Sequence, residues 1–299
     1  MVTKIDNLKS ETNALGRLQE MRDFGGEAIT RGLSDDVVLD FLQERDDLAT
    51  AIDRGYGAFL SLKETHGDFL ALDESEQITL SQDGLTNFYR VDGVSPYVAV
   101  AAQGPWIITL KGAVVYDCGG YGMLGFGHAP TAVLEAMNKP HVMANVMTPS
   151  LTQLNFTERL AQEIGHTRAD GFPFSTFICL NSGSEAMTVA SRIADINAQI
   201  LTGPGGRHEG RNICGLTLRG SFHGRTDRPA RFSDSTLAKY EQHLASFQES
   251  DYLLTVDPND VESLEAVFAE ADANNIFIEA FFMEPVMGEG NPGLAIESA

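Results

Sequence analysis

Three short stretches carry residue types that do chemistry together: Asn181-Ser182-Gly183-Ser184-Glu185-Ala186, Ser221-Phe222-His223-Gly224-Arg225-Thr226, and Glu284-Pro285-Val286-Met287-Gly288-Glu289-Gly290. Beyond the first, Val189, Ala190, Ile193, Ala194 and Ile200 recur at helical spacing. The backbone N–H groups of Gly183 and Ser184 are then expected at a helix N-terminus, where an unpaired pair of amides cradles a phosphate. The pattern has neither the Gly-Lys-Ser/Thr of a P-loop nor the GxGxxG of a dinucleotide site, so the phosphate would belong to another cofactor. Taken alone, serine and glycine before a helix describe an N-cap and a tight turn equally well.

Apolar runs must position these stretches. Residues 177–180 read as a strand buried on both faces, and residues 213–218 and 276–283 read as strands that end at the second and third stretches. Between them come a helix, a Gly203-Pro204-Gly205-Gly206 loop, a strand over 252–256, the turn Asp257-Pro258-Asn259-Asp260, and a helix carrying Val261, Leu264, Val267 and Phe268. Strands alternating with helices predict an α/β fold with a mainly parallel sheet and its ligand at the carboxyl ends of the strands.

The three stretches, in this order and spacing, resemble the class III (ω-amino acid) aminotransferases. Val114-Val115-Tyr116-Asp117 followed by Gly125-Phe126-Gly127-His128-Ala129-Pro130 is similar to that family's leading segment, so the resemblance covers about residues 104–293. It implies a fold type I transferase binding pyridoxal 5′-phosphate. The phosphate would be held by Ser182, Gly183 and Ser184, with the Ser184 hydroxyl adding a hydrogen bond. Phe222 would stack on the cofactor ring, although an isolated phenylalanine at a strand end equally reads as a core cap. His223 would orient the neighbouring loop, Glu284 would lie near the ring, and Glu289 would pair with a substrate-gating arginine.

The sequence departs from the family at Met187 and Met287, where asparagine and glutamine are usual, which makes the ring contacts or substrate pocket more apolar. The six lysines are Lys4, Lys9, Lys63, Lys111, Lys139 and Lys239, and none follows the third stretch. The resemblance places the Schiff-base lysine and the aspartate of the ring nitrogen beyond that stretch. No catalytic residue is therefore assigned, the sheet is expected to be incomplete, and the chain alone is expected to be inactive. The resemblance implies a transaminase acting on small-molecule amines and oxo compounds, as a homodimer when complete. An aminomutase, epimerase or decarboxylase on the same fold, or a non-catalytic phosphate- or cofactor-binding subunit, remains the alternative.

Composition bounds the rest. The chain has 299 residues and a formal net charge of −21, which disfavours nucleic acid and anionic membrane surfaces as partners. The first residues have no apolar run of signal-peptide type and no transmembrane-length segment is present, so a cytoplasmic location is expected. Cys118, Cys179 and Cys214 are odd in number and widely spaced, and read as buried free thiols.

Residues 1–75 read as a helical N-terminal arm. Helix is clearest from Ser34-Asp35-Asp36, with an apolar stripe of Val38, Phe41, Leu42, Leu48, Ile52, Tyr56, Phe59 and Leu60 and with Gly55 and Gly57 as candidate interruptions. It reads as an amphipathic helix or helix pair packed on the body of the protein, and a stripe with no large enclosed core of its own reads equally as a dimer contact. Residues 76–149 read as a small-domain segment of short strands and a glycine-rich loop, in which Lys111-Gly112 makes a hairpin turn and His128 a structural hydrogen bond. Pro130 starts a helix, and Ser150 to Gln153 has the form of a capping box. Residues 150–299 read as the large cofactor-binding α/β domain, truncated at its C-terminal end.

Overall fold

The computed structural model describes residues 13–86, 93–118, 125–142, 145, 147–247, 252–288 and 293–294. The chain divides into two compact units, Met1–Asn145 and Val146–Ala299.

In the first unit the described helical residues 13–22 (α1) precede α2 (Asp35–Leu42), α3 (Asp46–Thr65), α4 (Gly67–Leu70) and α5 (Glu74–Gln82). Asp35 and Asp36 occupy the first turn of α2 behind an extended Ser34, where their charge complements the exposed amides of the helix start. Helix α3 runs unbroken through Gly55 and Gly57. A Cβ on Gly55 would meet the Ile108 side chain at 2.8 Å, so glycine there lets the helix lie directly on the sheet.

That sheet is antiparallel, β1 (Ala99–Gln103), β2 (Trp106–Thr109) and β3 (Val114–Tyr116) in the order β1-β2-β3, followed by α6 (Thr131–Met137) behind Pro130. Lys111 and Gly112 form the turn between β2 and β3, as expected, with Gly112 at φ 70°. The stripe on α3 packs on the rest of the unit, as expected, rather than standing free for a dimer contact: Leu48, Ile52 and Phe59 pack with Leu18, Met21, Trp106, Ile108 and Val114. Lys111 is buried in this unit, its ammonium donating to the carbonyls of Leu70 (3.3 Å) and Leu72 (2.6 Å), and burial pushes its pKa down.

The second unit contains α7 (Leu151–Gly165), α8 (Gly183–Thr202), β4 (Asn212–Leu218), α9 (Asp227–Arg231), α10 (Asp234–His243), β5 (Leu253–Val256), α11 (Val261–Ala273), β6 (Ile276–Phe282), β7 (Val286–Met287) and β8 (Gly293–Leu294). Ser150 and Gln153 form the capping box of α7. Strands β5, β4 and β6 make a parallel sheet in the order β5-β4-β6, with Thr217 in register with Thr255 on one side and Phe282 on the other. Helices reconnect each strand to the next, as parallel pairing demands. Leu216, Leu218, Val256 and Met287 form one core cluster, joined by Leu264 and Val267 of α11.

Two expectations are corrected here. Residues 177–180 form no strand; Ile178 and Leu180 are exposed and none of the described strands pairs with them. A strand is completed by a neighbouring chain segment rather than by its own residues, and the three-stranded sheet places none beside this run. Of the three cysteines only Cys214, inside β4, is buried, whereas Cys118 and Cys179 are exposed. Cys179 is exposed for the same reason: it belongs to the run that did not join a sheet.

Candidate cofactor site

Helix α8 starts where the spacing of its apolar residues places it. Ser182 is extended (φ −146°, ψ 158°) and its hydroxyl oxygen accepts the Glu185 amide hydrogen at 3.2 Å. The Glu185 carboxylate accepts in return from the Ser182 amide (3.1 Å) and the Asn181 amide (2.9 Å), a reciprocal cap. The Ser182 oxygen is thereby committed to the helix start. Among the described residues the amides of Gly183 and Ser184 have no acceptor, and the side of Gly183 where a Cβ would stand is open to 4 Å. Two outward N–H donors at the positive end of a 20-residue helix are suited to an anion.

The turn after β4 is held against this helix start. The Arg225 amide donates to Ser184 Oγ at 3.2 Å, and Thr226 Oγ1 donates to the Ser184 carbonyl at 3.2 Å. Gly224, at φ 129°, lies so close that a Cβ on it would sit 2.7 Å from Ser184 Oγ. Further amides of the turn are each bound to a different element. Gly220 donates to Asp234 Oδ2 (2.7 Å), Phe222 to Glu284 Oε2 (2.8 Å) and His223 to Ser233 Oγ (2.8 Å). A loop with its amides so occupied is fixed in one shape.

The third stretch enters through Glu284, which follows β6. One carboxylate oxygen takes the Phe222 amide and the other takes the Gly288 amide at 3.4 Å. The structure therefore brings Ser182, Gly183, Ser184, Phe222, His223 and Glu284 to one place at the end of the parallel sheet. Glu289 lies outside the described residues. Phe222 is half-buried, with the Arg225 guanidinium 5.4 Å from its ring centroid. His223 is 7% exposed. Burial pushes its pKa below that of a free histidine, opposed by the Glu284 carboxylate and the Phe282 carbonyl, so the ring is neutral at neutral pH.

Met287 does not face this turn. It is buried in the cluster with Leu216, Leu218 and Val256, so its apolar side chain serves the core rather than the ring contacts or substrate pocket considered for it. His128 makes the structural bond read from the sequence, with Nε2 3.0 Å from Asp117 Oδ2 in the first unit.

Sequence reasoning missed two polar groups. Thr217 and Ser221 are fully buried beside His223. Glu279 of β6 is buried with both carboxylate oxygens on Arg228 Nη2 (3.0 and 3.1 Å), while Arg228 Nη1 meets Asp195 of α8 at 3.2 Å and Tyr252 Oη donates to Glu279 at 3.3 Å. Burial raises the Glu279 pKa against the lowering effect of Arg228. In both cases the available signal was a lone polar residue inside an apolar run, Thr217 in residues 213–218 and Glu279 in residues 276–283.

A family model described as Aminotransferase class-III matches residues 89–298. Among curated relatives, the glutamate-1-semialdehyde 2,1-aminomutase of Methanoculleus marisnigri is 28% identical over 221 residues, 72% of this chain and 48% of the relative. The acetylornithine aminotransferase of a Nostoc species is 30% identical over 177 residues, 55% of this chain and 35% of the relative. The chain spans about half the length or less of these relatives. Among solved structures, an ornithine aminotransferase of Toxoplasma gondii superimposes with a TM-score of 0.56 at 19% identity, covering 79% of this chain and 51% of that one. At that identity the likeness shows the fold, which is that of the fold type I pyridoxal-phosphate transferases. Among the described residues no helix is long and apolar enough to cross a membrane, and no cluster of three metal-ligating side chains occurs.

Proposed function

Since this chain belongs to the class III aminotransferases, we propose that the second unit is the cofactor-binding part of a pyridoxal-phosphate-dependent transaminase. The reaction would move an amino group between an amine or amino acid and a 2-oxo acid or aldehyde. The observation that carries this reading is the convergence of three separate stretches on one turn: Gly224 against Ser184, and Phe222 bound to Glu284.

The residues present fit the cofactor. Its phosphate matches the open cradle of Gly183 and Ser184, whose free amides supply N–H donors and whose glycine leaves room where a side chain would stand. When bound, pyridoxal phosphate supplies an aldehyde that takes up the amino group and a ring that withdraws electrons. The chain's own residues bind and orient. Ser184 Oγ, held by the Arg225 amide, retains its hydroxyl hydrogen for a phosphate oxygen. Phe222 offers an aromatic surface, and Glu284 fixes the backbone that carries it. Neutral His223 keeps the turn on the end of the sheet without adding charge beside the ring.

A second reading, an aminomutase that moves the amino group within one molecule, is favoured by the similarity to the Methanoculleus marisnigri aminomutase. Homodimer formation and a cytoplasmic location belong to the same proposal, as does a substrate role for Glu289.

The test is to titrate the full chain with pyridoxal 5′-phosphate while following its absorbance, then to supply amine and oxo acid pairs alongside single amino aldehydes. Saturable uptake that is lost on Gly183→Ala supports the cofactor site. Absence of uptake overturns it. Any turnover would overturn the expectation that the chain alone is inactive, and amino transfer between two molecules, as against isomerisation of one, would then separate the two reactions.

A further inference from the structure

Thr217 is the penultimate residue of β4, and its hydroxyl meets three polar groups beside the turn. Thr217 Oγ1 lies 3.0 Å from the Phe282 carbonyl oxygen, 2.6 Å from Ser221 Oγ and 2.9 Å from His223 Nε2. Thr217 and Ser221 are fully buried and His223 is 7% exposed, so water does not share these bonds.

A hydroxyl has one hydrogen and two lone pairs. The Phe282 carbonyl only accepts, so the Thr217 hydrogen goes there. Both remaining contacts must then be accepted by Thr217, from the Ser221 hydroxyl and from a hydrogen on His223 Nε2. The neutral ring consequently carries its hydrogen on Nε2 and its lone pair on Nδ1.

The three partners bracket the cofactor turn. Ser221 and His223 are the neighbours of Phe222 in sequence, and Phe282 stands two residues before Glu284. One hydroxyl therefore holds both ends of the Phe222 to Glu284 contact. We propose that Thr217 is a positioning residue of the cofactor site, fixing His223 as the Nε2–H tautomer and setting the turn that presents Phe222. This rests on the reading of the turn as the pyridoxal-phosphate site.

Removing the hydroxyl while keeping the shape, as in Thr217→Val, leaves a carbonyl, a ring N–H and a hydroxyl buried without this partner. Thr217→Ser restores the oxygen. The experiment uses the full chain labelled with 15N-histidine, with the His223 signal assigned by its loss in His223→Gln. Pyridoxal 5′-phosphate affinity is measured by absorbance titration, and folding is checked by circular dichroism.

Wild type and Thr217→Ser are expected to show His223 protonated on Nε2 and to bind alike. Thr217→Val is expected to show a mixed or Nδ1–H ring and an affinity lower by roughly tenfold, the scale of one buried hydrogen bond. If Thr217→Val does not fold, Ser221→Ala, which removes one donor, takes its place with an expected loss of about threefold. A wild-type His223 protonated on Nδ1 overturns the bond assignment. Unchanged affinity in the folded variant overturns the positioning role. Wild type with the Nε2–H ring but no uptake of pyridoxal phosphate overturns the cofactor reading, and the positioning role with it, while leaving the Thr217–His223 bond in place.

Discussion

The Glu284 carboxylate accepts the Phe222 amide hydrogen at 2.8 Å across 62 residues of sequence, joining the end of β6 to the turn after β4. Both groups are only partly exposed, so the bond is a charged one in a partly desolvated setting. Glu284→Ala should weaken pyridoxal-phosphate binding by about 1.5 to 3 kcal/mol, and Glu284→Gln by less, because an amide oxygen still accepts. Equilibrium titration of both variants checks this, and equal loss in the two would show that charge alone matters.

Two glycines should respond oppositely. A Cβ on Gly224 would stand 2.7 Å from Ser184 Oγ and 3.1 Å from Ser184 Cα, at a φ of 129° that side chains rarely adopt. Gly224→Ala should therefore lower stability by about 1 to 3 kcal/mol. Gly183 meets nothing within 4 Å, so Gly183→Ala should change stability by less than about 0.5 kcal/mol yet reduce cofactor affinity by filling the cradle. Denaturant midpoints and binding titrations on the pair separate the two effects.

Ser184→Ala removes the acceptor of the Arg225 amide and a donor toward the phosphate. The expected losses are about 1 kcal/mol in stability and about 1 to 3 kcal/mol in cofactor binding. Phe222→Leu should keep the fold and loosen the cofactor. A leucine variant that binds as tightly as wild type would make Phe222 a core residue only.

Arg228→Met would strand the Glu279 carboxylate, whose side chain is fully buried, and should cost about 3 to 5 kcal/mol of stability at neutral pH. The folded Glu279 pKa is raised by burial, so between the ordinary carboxylate value and that raised value the folded state binds the extra proton. Stability contributed through this group therefore increases as pH falls through that window. The deficit of Arg228→Met should shrink on acidification, and Arg228→Met with Glu279→Gln should recover part of it; thermal unfolding at several pH values measures both.

His223 has the opposite sign. Burial holds its folded pKa below that of the unfolded chain, about 6.5, so on acidification the unfolded state takes up the proton first. Stability from this group is full above that value, falls as pH drops toward the folded pKa, and levels off below it. His223→Gln should remove that component of the stability profile between about pH 6.5 and the acid transition.

Much of this molecule was legible in the residue string, for reasons that act over a few residues. The start of α8 at Gly183 follows from the reciprocal cap of Ser182 and Glu185 and from apolar residues every third or fourth position. The strands over 212–218, 253–256 and 276–282 follow from short apolar runs bounded by turn residues. Each of the three chemical stretches follows such an apolar run, so their order along the chain was legible as well.

What failed was whatever depends on a distant partner. Residues 177–180 have the composition of β4, yet they remain unpaired and Ile178 exposed, because pairing is supplied by another segment. The sequence assigns Met287 to ring contacts or a substrate pocket and Cys179 to a buried strand, yet Met287 packs in the core with Leu218 and Val256 and Cys179 is exposed. The sequence by itself determined the caps, the helix and strand periods and the residues available for an anion, since these are set by neighbours along the chain. Only the tertiary structure decided that Ser184 meets Gly224, that Phe222 is held by Glu284, and that Thr217 takes three buried partners. Contacts between residues tens of positions apart are fixed by how sheet and helices pack, where desolvation forces each polar group to find its partner.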